Sequence, residues 1–338
     1  MSTNEERRLE AKRKLEQRLS DQEQAARKRK LIIGGSLGAV VLIAIIGFGT
    51  WGIISYNDSQ YNKNHARCTY DAAPSYPDIA KMESALPQYN QQADEAVKSG
   101  QATQEQAQQY KDAQVDQINV LKQHANMVKT APQPTNLRPS KKGGPAVVLN
   151  TTQGDITLNL KAKDAPCNVN AVKSLVENNF YNGSGCQRLV ASQALTALQC
   201  GDPTGTGSGT PGWTSPDEFP TSLKPAPGDG GANGAVVYPR GSIAIANSYQ
   251  AANPMSGEPA SGQHTGSSQF FLVIDDTQLP ANYTVIGSVD PASLAVLDKI
   301  KAGGINPPIM PNPAPQPGPI TDGQPKLPVT IKTATIAK

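Results

Sequence analysis

AVVLNTTQGDITLNL, residues 146–160, decides the fold. AVVLN (146–150) and DITLNL (155–160) alternate in sidedness around a Thr-Gln-Gly turn, the period-two pattern of a half-buried β-hairpin. Downstream, Asp164 and Pro166 predict the start of a helix whose Val169, Val172, Leu175, Val176 and Phe180 share one face, closed by Asn182 and Gly183. Short strands follow within a Gly- and Pro-rich stretch, at Ser242–Ala246, Phe270–Ile274 and Tyr283–Val289. Leu294–Ile300 reads as a second helix, followed by Gly303 and Gly304. After a Pro-rich excursion from Pro307 to Pro325, Pro328–Ile336 reads as a last strand. Many strands with only two distant helices predict a mainly β domain over 144–338, a closed antiparallel barrel with a helix plugging each end.

Upstream lies a different composition. Leu31–Ser55 runs twenty-five residues without a charge, long enough to cross a hydrocarbon core of roughly 30 Å as a helix. Arg27, Lys28, Arg29 and Lys30 precede it directly, so residues 1–30 are expected in the cytoplasm and the rest outside. The net charge of +3 agrees: residues 1–30 carry ten Lys and Arg against six Asp and Glu, leaving about −1 for everything after them. That balance excludes a basic nucleic-acid surface on the outer part and leaves lipid as the partner of the apolar run. Residues 1–30 read as a charged helical tail, with Leu9, Leu15 and Leu19 too sparse for a coiled-coil seam.

Residues 56–143 read as an extracytoplasmic stalk. Thr103 and Gln106 have capping-box spacing, and Ala107, Tyr110, Ile118, Leu121, Ala125 and Val128 recur near helical period, predicting one amphipathic helix that pairs with Ile79–Val97. Pro132, Pro134, Pro139 and Lys141–Gly144 predict a flexible linker after it. Cys68, Cys167, Cys186 and Cys200 all follow the apolar run, where an even count permits two disulfides in three pairings. No CxxC or HxxxH spacing suggests a metal, and no cofactor is expected.

The glycines at 207, 209 and 212 spell GxGxxG, but no strand leads into them and Trp213, Pro216 and Pro220 occupy the place of a helix, so no nucleotide site follows. The same region carries a more specific pattern. CQRLV (186–190), LQCGDPTGTGSGTPGW (198–213), DEF (217–219), RGSIAIANS (240–248) and SSQFFLV (267–273), continued by NYTVIGSV (282–289) and LDKI (297–300), resemble the cyclophilin family of peptidyl-prolyl isomerases in order and spacing. The likeness covers about Val147–Ile336 and is nearest to membrane-anchored cyclophilins of actinobacteria. It implies an eight-stranded closed barrel with a substrate groove on its outer wall.

Turning an Xaa-Pro bond needs no nucleophile. It needs relief of the amide resonance behind a barrier of about 20 kcal/mol, through a fixed donor over the peptide and an apolar seat for the ring. Arg188 suits the donor, Gln199 and Gln269 can orient it, and Phe271 and Leu279 can line the seat. His264, alone in this domain and in a Gly- and Ser-rich loop, gives hydrolysis little support. By resemblance Arg188 matches the catalytic arginine and Gln199 its positioning glutamine. Ala246 and Asn247 match the backbone that grips substrate, and Gln269, Phe271 and Leu279 the binding wall.

The sequence also departs from the family. Gln187 and Tyr283 stand where the family has histidines, and Gln278 stands where many members have tryptophan. Arg188 and Gln199 lie eleven residues apart rather than eight. The inserted ASQALTAL (191–198) places Thr196 and Ala197 nearest the slots of a pocket phenylalanine and methionine, with Leu195 or Leu198 to fill the gap. On neighbouring strands Cys186 and Cys200 would bridge, and Cys68–Cys167 would then pin the stalk. The expected function is a prolyl isomerase for secreted or envelope polypeptides, single-pass at the cell membrane with its C-terminal domain outside. The alternative is a catalytically weak, tethered peptide-binding scaffold.

Overall fold

A computed structural model describes residues 58–227, 234–250, 259–311 and 318–337. The chain divides into two compact units, Met1–Lys63 and Asn64–Lys338. The expected tail at 1–30 and span at 31–55 lie outside the described residues, among which no helix is long and apolar enough to cross a membrane.

The second unit opens with β1 (Asp71–Ala72), α1 (Ile79–Lys98) and α2 (Gln104–His124). There follow β2 (Ala146–Thr151), β3 (Gly154–Leu160), α3 (Pro166–Glu177), β4 (Ser184–Gly185), β5 (Arg188–Ala191), β6 (Thr196–Cys200) and β7 (Trp213–Thr214). Next come β8 (Lys224–Pro225), β9 (Ala235–Tyr238), β10 (Ser242–Ile245), β11 (Phe270–Val273), β12 (Thr277–Pro280) and β13 (Val285–Val289). α4 (Pro291–Ala302), β14 (Ile305–Asn306), β15 (Asp322–Pro325) and β16 (Thr330–Ile336) complete the unit.

The hairpin forms as the alternation requires: β2 and β3 pair antiparallel from Ala146↔Asn159 to Thr151↔Gly154. Val147, Leu149, Ile156, Leu158 and Leu160 all point into the main core. Around this hairpin the sheet runs β14-β15-β5-β6-β11-β10-β13-β3-β2-β16-β4.

The expected closed eight-stranded barrel is therefore corrected to a curled, open sheet of eleven strands with β14 and β4 at its ends. The physical reason lies in the run CQRLV. Its first two residues, Cys186 and Gln187, belong to no strand: β4 stops before them at Gly185 and pairs with β16, whereas β5 starts after them at Arg188 and pairs with β6 and β15. The Pro-rich excursion adds β14 and β15 beyond β5, lengthening the sheet on that side. Gly323 permits the approach of these two strands, since a Cβ there would sit 2.0 Å from the Asn306 carbonyl oxygen.

Both predicted helices are present. α3 buries Val169, Val172, Leu175 and Val176, and α4 buries Leu297 and Ile300. The start of α3 differs from the expectation, because Ala165 rather than Asp164 precedes it and gives no side-chain cap. Glu218 supplies the cap from a distance, accepting from Cys167 N at 3.1 Å and Asn168 N at 2.9 Å. Burial pushes its carboxyl above the usual value, and these hydrogen bonds pull it back only partly.

Residues 64–143 pack on the sheet domain. α1 and α2 form a helical pair, and the Thr103–Gln106 capping box is made in both directions. Lys111 pairs with Asp94 at 2.6 Å across the two helices. The proline segment expected as a flexible linker is held: Cys68 N donates to Leu137 O, Ala66 N to Pro139 O and Ala131 N to Pro211 O. Disulfides Cys68–Cys167 and Cys186–Cys200 form, the one of the three possible pairings that joins Cys186 to Cys200. Tyr70 stacks edge-on against Trp213 at 5.5 Å, its hydroxyl donates to Cys167 O, and burial raises its pKa to about 12.

Candidate active site

Register brings the site together. In the ladder β5-β6-β11-β10, Arg188 lies opposite Gln199, Gln199 opposite Phe271, and Phe271 opposite Ala244. Side chains in such a row share one face of a sheet, so residues distant in sequence line a single groove.

The polar end of the row is a connected network. Arg188 Nη1 donates to Gln199 Oε1 at 3.4 Å. Gln199 Nε2 donates to Gln269 Oε1 at 2.8 Å, and Gln187 Nε2 donates to the same oxygen at 3.0 Å. Gln269 Nε2 then donates to the Gly207 and Gly209 carbonyls at 2.9 and 3.1 Å. Two of the three glycines that fail as a nucleotide motif thus act as backbone acceptors behind the glutamines. Their loop is shaped by the fully buried Asp202, which accepts from Thr204 N at 2.8 Å and Gly207 N at 2.6 Å.

The partner that the sequence did not reveal is Asp322. Its two oxygens take Arg188 Nε at 2.7 Å and Nη2 at 2.6 Å, a bidentate fork from β15. This hydrogen bond raises the guanidinium pKa further, against the opposing effect of burial. Arg188 is fixed along one edge by a carboxylate and at Nη1 by an amide. Two of its five N–H donors, one on each terminal nitrogen, are uncommitted to these partners.

The apolar end is a separate cluster of Ala197, Tyr238, Ala244, Phe271 and Val273, with Leu195, Ala246, Leu279 and Tyr283 packed against it. Phe271 and Tyr283 meet edge to face at 5.4 Å. Of the residues considered for the insertion, Ala197 and Leu195 lie with Phe271. Leu198 points into the main core and is fully buried. Strand alternation decides this, since residues 197 and 199 share one face of β6 and residue 198 takes the other. The β5–β6 turn leans on β12 through Thr196 N to Thr277 Oγ1 at 3.2 Å and Gln278 N to Ala194 O at 3.3 Å.

Ala246 N donates to Gln269 O at 2.9 Å, tying β10 to the network. The Asn247 side chain turns to its own loops, donating to Asn282 O at 2.7 Å and accepting from Tyr249 N at 3.2 Å. Among the described residues no group of His, Cys, Asp and Glu could hold a metal ion. The arrangement presents a rigid cationic donor beside an apolar seat of aromatic walls, without a nucleophile–base pair.

The family model described as cyclophilin type peptidyl-prolyl cis-trans isomerase/CLD matches residues 146–336. A Mycobacterium tuberculosis protein named "Probable peptidyl-prolyl cis-trans isomerase B" is 38% identical over 191 residues, covering 56% of this chain and 54% of the relative. The protein of that name in Mycobacterium leprae is 44% identical over 155 residues, covering 46% and 48%. The chain thus spans about half the length of the curated relatives it matches. A crystal structure of a Cryptosporidium parvum cyclophilin type isomerase aligns over 57% of this chain and 98% of its own, at 19% identity and a TM-score of 0.41. The sequence motifs, the row Arg188–Gln199–Phe271 and the match over 146–336 converge on one conclusion: this chain belongs to the cyclophilin type peptidyl-prolyl cis-trans isomerase family.

Proposed function

We propose that this chain catalyses cis–trans isomerisation of Xaa-Pro bonds, with Arg188 as the donor to the twisted peptide and the Phe271 cluster as the seat of the proline ring. The observation that carries this reading is the fixing of Arg188 by Asp322 and Gln199 beside that cluster. A long cationic side chain held in place before substrate arrives stabilises the twisted state without paying side-chain entropy in the reaction. Gln269 and Ala246 fix the wall, Leu279 and Tyr283 border the seat, and Asn247 braces the loop that follows Ala246. The clients are proline-containing segments of secreted or envelope polypeptides, whose unaided isomerisation takes tens to hundreds of seconds.

The proposed location is outside the cytoplasm. The asymmetry of charge around residues 31–55 supports it, as do two disulfides, which persist in oxidising compartments. A second reading, a weak isomerase that mainly binds peptide, is favoured by Ala197 and Leu195 beside Phe271, small and aliphatic residues that leave the seat shallow.

Exchange spectroscopy of a short Ala-Pro peptide with the oxidised full chain separates the two. Faster exchange at catalytic protein concentration supports the isomerase. Binding with unchanged exchange supports the second reading.

A further inference from the structure

A groove of about 450 Å³ shares Arg188 and Gln199 with the site but takes no wall from Phe271, Leu279 or Tyr283. Its far side is the chain's own Pro-rich strap, Ile309 and Met310 set between Pro308 and Pro311, and its near rim is the loop at Thr206 and Gly207. We propose that this groove is a second subsite, which receives an apolar side chain flanking the client's proline and so sets sequence preference. The inference rests on the reading of Arg188 as the group that meets the client peptide.

Three observations support it. The first is continuity: an extended peptide advances about 3.3 Å per residue, so a client whose proline rests on Phe271 and whose backbone meets Arg188 brings a neighbouring side chain to the groove. The second is chemistry. Ile309 and Met310 are half-buried apolar groups, and the carboxylate that borders the groove, Asp322, is spent on Arg188. A cationic flanking residue would meet Arg188 and lose water there without gaining a partner, whereas an apolar one loses nothing. The third is rigidity. The strap is anchored by pairing of Ile305 and Asn306 with Pro325 and Gln324 and by Gln324 Nε2 donating to Pro307 O at 3.3 Å. The prolines fix φ on both sides of the two apolar residues.

The test uses the oxidised full chain and a peptide series in which the residue on either side of the proline is Ala, Ser, Leu, Met or Lys. Both kcat/KM and Kd are measured. Leu and Met are expected to exceed Ser and Lys by about tenfold at one flanking position. The Ile309→Ser/Met310→Ser double variant should bring that ratio below about twofold, and the conservative Ile309→Leu/Met310→Leu pair should keep it. A flat series in the wild type, or an unchanged ratio in the folded double-serine variant, overturns the subsite. A preference retained in Kd with no turnover on any peptide supports the subsite while overturning the isomerase reading.

Discussion

Arg188 and Asp322 meet edge to edge, with two near-parallel hydrogen bonds of 2.7 and 2.6 Å across 134 residues of sequence. Both side chains are nearly half exposed, 46% and 47%, so the pair contributes little to stability, within about 1 kcal/mol. Its effect lies in holding the guanidinium. Asp322→Ala should lower kcat/KM by about tenfold, mostly in kcat, with a shift in unfolding free energy under about 1 kcal/mol. Steady-state kinetics beside denaturant unfolding checks this; equal activity would remove Asp322 from the positioning of Arg188.

Gln269 is the hub behind the arginine, accepting from Gln187 and Gln199 and donating to two glycine carbonyls. Gln269→Leu keeps the bulk and strands these partners, so stability should fall by about 1–3 kcal/mol and activity should fall with it. The informative control is Gln199→Leu, which removes the contact to Arg188 and spares the carbonyls. It should reduce activity with a smaller stability loss, and the reverse order would contradict the network.

Cys68–Cys167 closes a separation of 99 residues and Cys186–Cys200 one of 14. In a chain-entropy account the larger loop is worth about 4–5 kcal/mol and the smaller about 3. Paired serine substitutions measured by denaturant unfolding should follow that order. Opening Cys68–Cys167 should also change Trp213 fluorescence, because Trp213 stacks on Tyr70 and donates to Ala131 O at 2.8 Å.

Glu218 gives a pH prediction. Burial raises its folded-state pKa above the ordinary 4.5, so its contribution to stability is fully present below that value and is lost as pH rises through the higher folded value. The unfolding free energy of wild type minus that of Glu218→Gln should therefore increase on acidification toward pH 4.5. A difference that is flat or shrinks would contradict the burial argument.

Much of this molecule is legible in its sequence because the determinants are local. Alternation at 146–160 gives the first hairpin, the spacing of Val169, Val172 and Leu175 gives α3, and the run around Arg188 gives the site. What was not legible depends on partners brought from far away. Asp322 follows a proline-rich stretch without a periodic signal, and nothing local in DGQP marks its pairing with Arg188. Glu218 caps a helix that begins 52 positions earlier in sequence. The break at Cys186–Gln187, which opens the sheet, has no local turn signal in CQRLV. The docking of residues 64–143 is legible only at Cys68–Cys167, because the backbone hydrogen bonds from Ala66, Cys68 and Ala131 that hold the rest leave no compositional trace.

The central claim is that Arg188, held by Asp322 and Gln199, stabilises the twisted peptide. The measurement that tests it most directly is peptide exchange with the oxidised full chain beside Arg188→Ala, with Kd taken on the same samples. The account predicts that the variant keeps its fold and binds peptide within a few-fold, while exchange falls by about a hundredfold or more, as expected when a donor acting in the transition state is removed. Equal exchange by wild type and variant would contradict it.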